Sequence, residues 1–259
     1  MARIIAIANH KGGVGKTTAA LNIAAGVAAR GYSVLLVDMD AQANLTDTLH
    51  LTERRPNTYD ILRGEAAQPI AVTELLHAVP STLDLAAAEA ELTAAIGRER
   101  RLQAALQPLG ATYDYIIIDT APTLGLLTIN ALVAADAVII PLQAEYYAIK
   151  GITGLTDIIA DVRRLINGRL SIGGVIVSQY DARTTLHRQM RDAIAQRFGA
   201  AVFDTPVRKG IAIAEAQAAG TDVFTYAPDS AGAQDYAAVV AEFLQRFPAE
   251  DKNHTTIKP

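Results

Sequence analysis

A glycine-rich turn set between an apolar run and an alanine-rich segment constrains this chain more than any other feature. Residues Ile4 to Ala8 are continuously apolar, His10-Lys11-Gly12-Gly13-Val14-Gly15-Lys16-Thr17-Thr18 follow at once, and Ala19 to Arg30 has helix-forming composition. Strand, glycine loop and helix in that order are the context that separates a phosphate loop from a chance cluster of glycines. Gly12, Gly13 and Gly15 let the backbone turn its N–H groups inward and approach an anion with no Cβ in the way. The helix that starts here adds unpaired N–H groups and its positive dipole end. Lys16 is spaced to reach β- and γ-phosphates, and the Thr17 hydroxyl to sit on Mg²⁺. Lys11, Gly12, Gly13, Val14, Gly15, Lys16, Thr17 and Thr18 are therefore the expected nucleotide-binding set.

The rest of the chain repeats the alternation of apolar β-rich runs with longer helical patterns that marks βαβ units on a parallel sheet. Strands are expected at 3–9, 33–38, 83–86, 113–119, 137–142, 172–178 and 201–203, and helices at 17–30, 89–106, 124–134, 147–166, 184–198, 211–219 and 230–247. Val34 to Val37 and Tyr115 to Ile118 are continuous rather than alternating, as in strands covered on both faces. The stretch 52–80 is less regular and is left unassigned. The expectation is one α/β domain over 1–248, a mostly parallel twisted sheet with helices on both faces, followed by a polar tail over 249–259.

Composition narrows the function classes. At 259 residues, with 51% hydrophobic residues and a mean hydropathy of +0.19, the chain can bury a sizeable core and is not disordered. A net charge of −4 argues against bulk attraction to nucleic acid but leaves room for a local basic face. There is no cysteine, which removes disulfides, thiolate metal sites, iron–sulfur clusters and thiol nucleophiles. No apolar stretch is long enough to span a bilayer, the first strand follows directly on Met1-Ala2, and the polar tail lacks a basic amphipathic pattern. A cytoplasmic protein without a membrane partner is expected.

Two further segments carry carboxylates to the ends of strands. Val37-Asp38-Met39-Asp40-Ala41-Gln42-Ala43-Asn44 closes the second run, and ligands of parallel sheets gather beyond such carboxyl ends. Helix capping by Asp40 or Asn44 is an alternative role. Tyr115-Ile-Ile-Ile-Asp119 is four apolar residues followed by an acid, a pattern in which Asp119 holds Mg²⁺ directly or through water.

The second lysine of the loop suggests a family. Lys11-Gly-Gly-Val-Gly-Lys16-Thr-Thr resembles the deviant Walker A box of the ParA/MinD superfamily of partition and positioning ATPases. Asp38 to Asn44 is similar to that family's D-x-D-P-Q-x-N box, with Ala41 in place of proline. Pro141-Leu-Gln143-Ala-Glu145-Tyr146-Tyr147-Ala-Ile-Lys150-Gly151 looks like its V-P-x-Q-A-E-Y-Y-A-L-E-G segment, with Lys150 where an acid is common. The similarity runs from Ile4 to about Phe247 and is greatest to the ParA branch.

The resemblance implies an ATP- and Mg²⁺-dependent homodimer in which Lys11 reaches the partner's phosphates. A lysine merely solvated beside the loop is the alternative. It further implies Lys11, Lys16 and Asp40 as the catalytic set, with Asp40 orienting the attacking water. Asp38 and Asp119 would lie with Thr17 around the metal, and Lys11, Gly12, Gln143 and Glu145 at the dimer face. DNA without sequence preference would meet Arg183, Arg188, Arg191 and Lys209, with Arg197 nearby, and a ParB-like protein would stimulate hydrolysis on the nucleoid. An ordinary solvated helix face explains those arginines as well, since acids such as Asp192 are interleaved. The pattern breaks at Val207-Arg208-Lys209-Gly210-Ile211-Ala212, where relatives read I-P-R-N-V-R. Arg208 replaces the proline and stands as a candidate nucleotide contact. The competing readings are a cargo-positioning ATPase with altered DNA binding, a MinD-type membrane-surface ATPase, and an ATP-using ligase.

Overall fold

In the computed structural model, residues 1–52, 54–145 and 151–250 are described. The elements in chain order are β1 (Arg3–Ile7), α1 (Lys16–Ala28), β2 (Val34–Met39), α2 (Asn44–Thr48), α3 (Thr58–Leu62), β3 (Ile70–Ala71), β4 (Leu76–Val79) and α4 (Leu85–Glu91). Then come α5 (Arg101–Leu106), β5 (Tyr115–Thr120), α6 (Leu126–Ala134), β6 (Ala137–Gln143), α7 (Thr153–Leu165) and β7 (Ser171–Ser178). The chain finishes with α8 (Thr185–Phe198), α9 (Ile211–Ala218), α10 (Val223–Tyr226) and α11 (Ala231–Arg246).

One sheet orders the strands β3-β4-β2-β5-β1-β6-β7, and every pairing is parallel except the short β3–β4 edge. The continuous apolar runs divide residue by residue between two cores. Leu35, Val37 and Met39 of β2, Ile116 and Ile118 of β5 and Ala6 of β1 face one side, where α5, α6 and α7 pack. Val34, Leu36, Ile117, Ile5 and Ile7 face the other, beneath α1 and α11. Two-sided cover explains why these runs lack polar alternation. Because all the central strands point the same way, their carboxyl ends and the loops that follow meet along one edge of the sheet.

Three expectations are corrected. Leu83–Ala86 is not a strand; Leu85 and Ala86 open α4, a run of good helix formers, and the strand is β4 within the unassigned stretch. The long helix expected over 89–106 is broken by 3₁₀ turns at Leu92–Ala94 and Arg98–Arg100, with Gly97 at φ +68° between them. Residues 201–203 make a single bridge, Val202 to Val175, in place of a strand. Of the helix expected over 147–166, the part from Thr153 is α7, while 146–150, including Tyr146, Tyr147 and Lys150, lie outside the described residues.

Candidate functional site

The loop between β1 and α1 turns through two left-handed glycines, Gly13 at φ +72° and Gly15 at φ +89°. A Cβ at either would force a conformation that L residues rarely hold. Gly15 also precedes the first turn of α1, and no side chain caps that helix start. The loop is braced through its carbonyls. Gln143 Nε2 and Gln179 Nε2 both donate to Gly13 O, at 3.1 and 2.7 Å, and Ser178 Oγ donates to Val14 O at 2.8 Å. With those carbonyls engaged, the loop is free to present N–H groups to an anion.

Inside lies a cavity of about 680 Å³ at the carboxyl ends of the strands, lined by Gly12, Gly13, Gly15, Lys16, Thr17, Thr18 and Asp40. Gln42, Asn44, Asp47, His50, Gln179 and Gln217 are among the other residues of its walls. Gln179 and Gln217 were not singled out from sequence. The position of Gln179 directly beyond a strand end was a usable signal; Gln217, on α9, had none. Lys16 is 7% exposed, its Nζ 3.3 Å from Lys11 O. Burial lowers its pKa, and the facing Asp119 and Asp40 carboxylates oppose that.

Strand register brings the acids together: Asp38 of β2 stands beside Asp119 of β5. Their surroundings differ. Asp38 accepts from the Thr46 hydroxyl at 2.7 Å, the Thr46 amide at 3.0 Å and the Asp40 amide at 3.1 Å, so both its oxygens are engaged in fixing α2 to β2. Burial pushes its pKa up to about 6 against those hydrogen bonds. Asp40 Oδ1 accepts from the Gln42 amide at 2.9 Å in a tight turn, and the residue lines the cavity. Neither Asp40 nor Asn44 caps α2, whose first turn follows Ala43 in a left-handed conformation.

Asp119 is the exception. It is fully buried, and neither carboxylate oxygen has a donor in normal hydrogen-bond geometry, although the Thr17 hydroxyl is near enough to favour its charge. Burial and the neighbouring Asp38 raise its pKa well above the ordinary carboxylate range, while Thr17 and Lys16 pull the other way. An unsatisfied buried carboxylate is costly unless something else occupies its coordination sites. A hard divalent cation fits: Mg²⁺ takes one or two carboxylate oxygens, a hydroxyl, and otherwise phosphates and water. Asp119 with the Thr17 hydroxyl would supply that share, whereas the Asp38 oxygens already accept from Thr46 and the Asp40 amide.

The two lysines of the loop are separated by the fold. Lys16 lies within the cavity, but Lys11 Nζ turns outward to Gln143 Oε1 at 3.0 Å and Glu145 Oε2 at 2.5 Å. The fold thus brings together three of the residues expected at a dimer face, and the fourth, Gly12, has open space where a Cβ would stand.

The candidate DNA-contacting residues gather around Tyr180, just beyond β7. The Arg191 guanidinium sits 5.9 Å from the Tyr180 ring centre and donates to Asp204 O. Arg183 is paired bidentately with Asp181, and Arg188 donates to Ala182 O and Thr185 Oγ1. The Lys209 amide donates to Tyr180 O. Arg208 does not extend freely: its guanidinium grips the Asp235 carboxylate of α11 at 2.7 Å and also donates to Ala231 O.

Comparison with known proteins places these features. An AAA domain family model matches residues 2–172. The chain is 41% identical to the chromosome partitioning protein ParA of Caulobacter vibrioides, over 94% of each chain. It is 43% identical to the sporulation initiation inhibitor protein Soj of Bacillus subtilis, over 91% of this chain and 96% of that one. Among solved structures, cobyrinic acid a,c-diamide synthase of Mycobacterium smegmatis, with a bound ATP analogue and magnesium, superposes with a TM-score of 0.86 at 33% identity, over 96% of each chain.

Proposed function

This chain belongs to the ParA/Soj family of partition ATPases, and from that premise we propose that it is an ATP-driven dimerisation switch that holds DNA in the dimeric state. The division of labour between the two lysines carries the reading. Lys16 is buried against its own cavity, while Lys11 leaves it and presents an ammonium at the surface beside Gln143 and Glu145. A cation so placed is suited to neutralising the triphosphate of a second subunit, where charge from the home subunit falls short.

In this reading the loop amides, Lys16 and Thr18 seat the phosphates, and Thr17 with Asp119 would hold Mg²⁺, which would supply charge neutralisation to the phosphates. Asp40, fixed through Gln42 and opening on the same cavity, orients the attacking water. Positioning rather than full proton abstraction is what phosphoryl transfer requires of it. ATP drives assembly because the nucleotide binds better where both lysines reach it. Hydrolysis, accelerated by a ParB-like partner, ends that preference and releases the DNA.

The cluster around Tyr180 supports a DNA face, and doubling it by two-fold assembly would give enough cations for salt-sensitive, sequence-independent binding. No helix among the described residues is long and apolar enough to cross a membrane, and we place the protein in the cytoplasm on the nucleoid. A ligase reading draws on the name of the synthase it resembles in structure, but the higher identities over the same span are to partition proteins.

Sedimentation of Asp40→Ala with ATP, with ADP, and with ATP plus random-sequence DNA tests the switch. A dimer with ATP alone, DNA retention only in that state, and loss of retention as salt rises are expected. A monomer under every condition would sink the proposal.

A further inference from the structure

The nucleotide cavity has a side lobe that the phosphate-binding residues do not account for. A volume of about 240 Å³ opens beside Gly15 and Thr18, with Arg208 to Gly210 as one wall, Gln217 shared with the main cavity, and Tyr236 among its lining. A purine fits such a space, and its position beyond Gly15 and Thr18 is where a base would extend from phosphates seated on the loop. Any power of the 208–210 peptide groups to read a base edge depends on holding them in one place.

Backbone bonds fix the start of the wall, Val207 N–H to Val177 O at 2.8 Å and Tyr180 N–H to Val207 O at 3.0 Å, and one ion pair anchors it to α11. Arg208 Nε lies 2.9 Å and 3.1 Å from the two Asp235 oxygens, and Nη2 lies 2.7 Å from Oδ1. The Arg208 amide adds a fourth bond to the same carboxylate, at 2.8 Å. A forked guanidinium–carboxylate pair fixes geometry as well as distance, which a lysine in the same place cannot do. Asp235 is itself buried, on α11, next to Tyr236 in the lining of the lobe. The other end of the wall is tied by the Lys209 amide to Tyr180 O.

We infer that Arg208 is a positioning residue for the nucleobase: clamped on Asp235, it sets the 207–210 wall of the lobe and thereby the preference for adenine over guanine nucleotides. This inference rests on the nucleotide reading of the site above. It assigns Arg208 an indirect part in place of a direct contact with ATP, and it gives the departure from the family's proline at this position a physical purpose.

A double-mutant cycle separates the possibilities. Equilibrium affinities for ATP, GTP and inorganic tripolyphosphate are measured for the wild type, Arg208→Ala, Asp235→Ala and the double variant, with Arg208→Lys as a milder change should either alanine variant fold poorly. Each single alanine variant is expected to bind ATP about tenfold more weakly, the scale of one charge-assisted hydrogen-bond pair. The double variant should be no worse than either single one. Tripolyphosphate affinity should stay at the wild-type value, the ATP-to-GTP preference should shrink, and Arg208→Lys should recover only part of it. If Asp235→Ala binds like the wild type while Arg208→Ala is weakened, Arg208 touches the nucleotide directly and the inference is wrong. Wild-type selectivity in every variant would overturn it equally. A wild type that binds neither ATP nor tripolyphosphate would instead overturn the nucleotide reading itself.

Discussion

Lys11 and Glu145 are joined across the mouth of the nucleotide site, Nζ to Oε2 at 2.5 Å, with both side chains about half exposed. The pair holds in place the ammonium that the switch assigns to a second subunit. For Lys11 to cross over, this contact and the one to Gln143 must be given up. An exposed pair of this kind contributes at most about 1 kcal/mol, so it can bias assembly without preventing it.

Glu145→Gln should therefore free Lys11 and lower the protein concentration at which ATP drives dimers, by up to about fivefold. Analytical ultracentrifugation across a concentration series with ATP reads this directly. Weaker dimers would instead assign Glu145 an attractive role in the interface.

Gly12→Val separates the fold from assembly. Nothing lies within 4 Å of where a Cβ at Gly12 would stand, so the free protein should unfold at the wild-type denaturant concentration. The added isopropyl group would project from the face on which Lys11 and Gln143 meet, and ATP-dependent dimers should disappear. A stability loss of more than about 1 kcal/mol in the free protein would show that the space is not open.

Asp119→Asn keeps shape and removes charge. Because the carboxylate is buried without a hydrogen bond in normal geometry, the free protein should be as stable as the wild type or more so in guanidinium melts. Mg²⁺-dependent phosphate release should fall by about a hundredfold or more. Retained turnover would place the metal elsewhere.

Gly174→Ala tests packing far from any ligand. The new Cβ would stand 2.3 Å from Phe203 Cε2 and 3.2 Å from Ile139 Cγ1. Both neighbours are fully buried, so a loss of roughly 1–3 kcal/mol is expected from overpacking. Unchanged urea stability would mean that the Phe203 ring can retreat.

At the basic face, Arg188→Ala combined with Arg191→Ala should weaken retention on random DNA and reduce its salt dependence while ATPase activity persists. Arg183→Ala should matter less, since its guanidinium is already paired with Asp181. Filter binding at stepped ionic strength distinguishes the two, and equal effects would argue that the Asp181 pair opens on contact with DNA.

The parallel sheet and its phosphate loop were legible from order alone, because strand, glycine loop and helix need only local contacts to be recognised. The apolar runs of β2 and β5 likewise announced strands buried on both faces. The edge was not legible: Leu83 to Ala86 is apolar enough for a strand but runs into the alanines of α4, and only packing decided for the helix. At the site, Asp38 and Asp119 looked alike as acids at strand ends, yet one is bound up with Thr46 and the other makes no hydrogen bond in normal geometry.

By itself the sequence determined which atoms are available for the chemistry: a loop that can surround phosphates, two lysines, and carboxylates at the carboxyl ends of parallel strands. Those follow from residue type and spacing, which act over a few residues. The tertiary structure decided which of these groups is free. That Lys11 turns to Glu145, that Arg208 is held by Asp235 and that the Asp119 carboxylate is left without a hydrogen bond all depend on partners between 27 and 134 positions away or on the absence of one. Such partners meet only when the chain closes on itself.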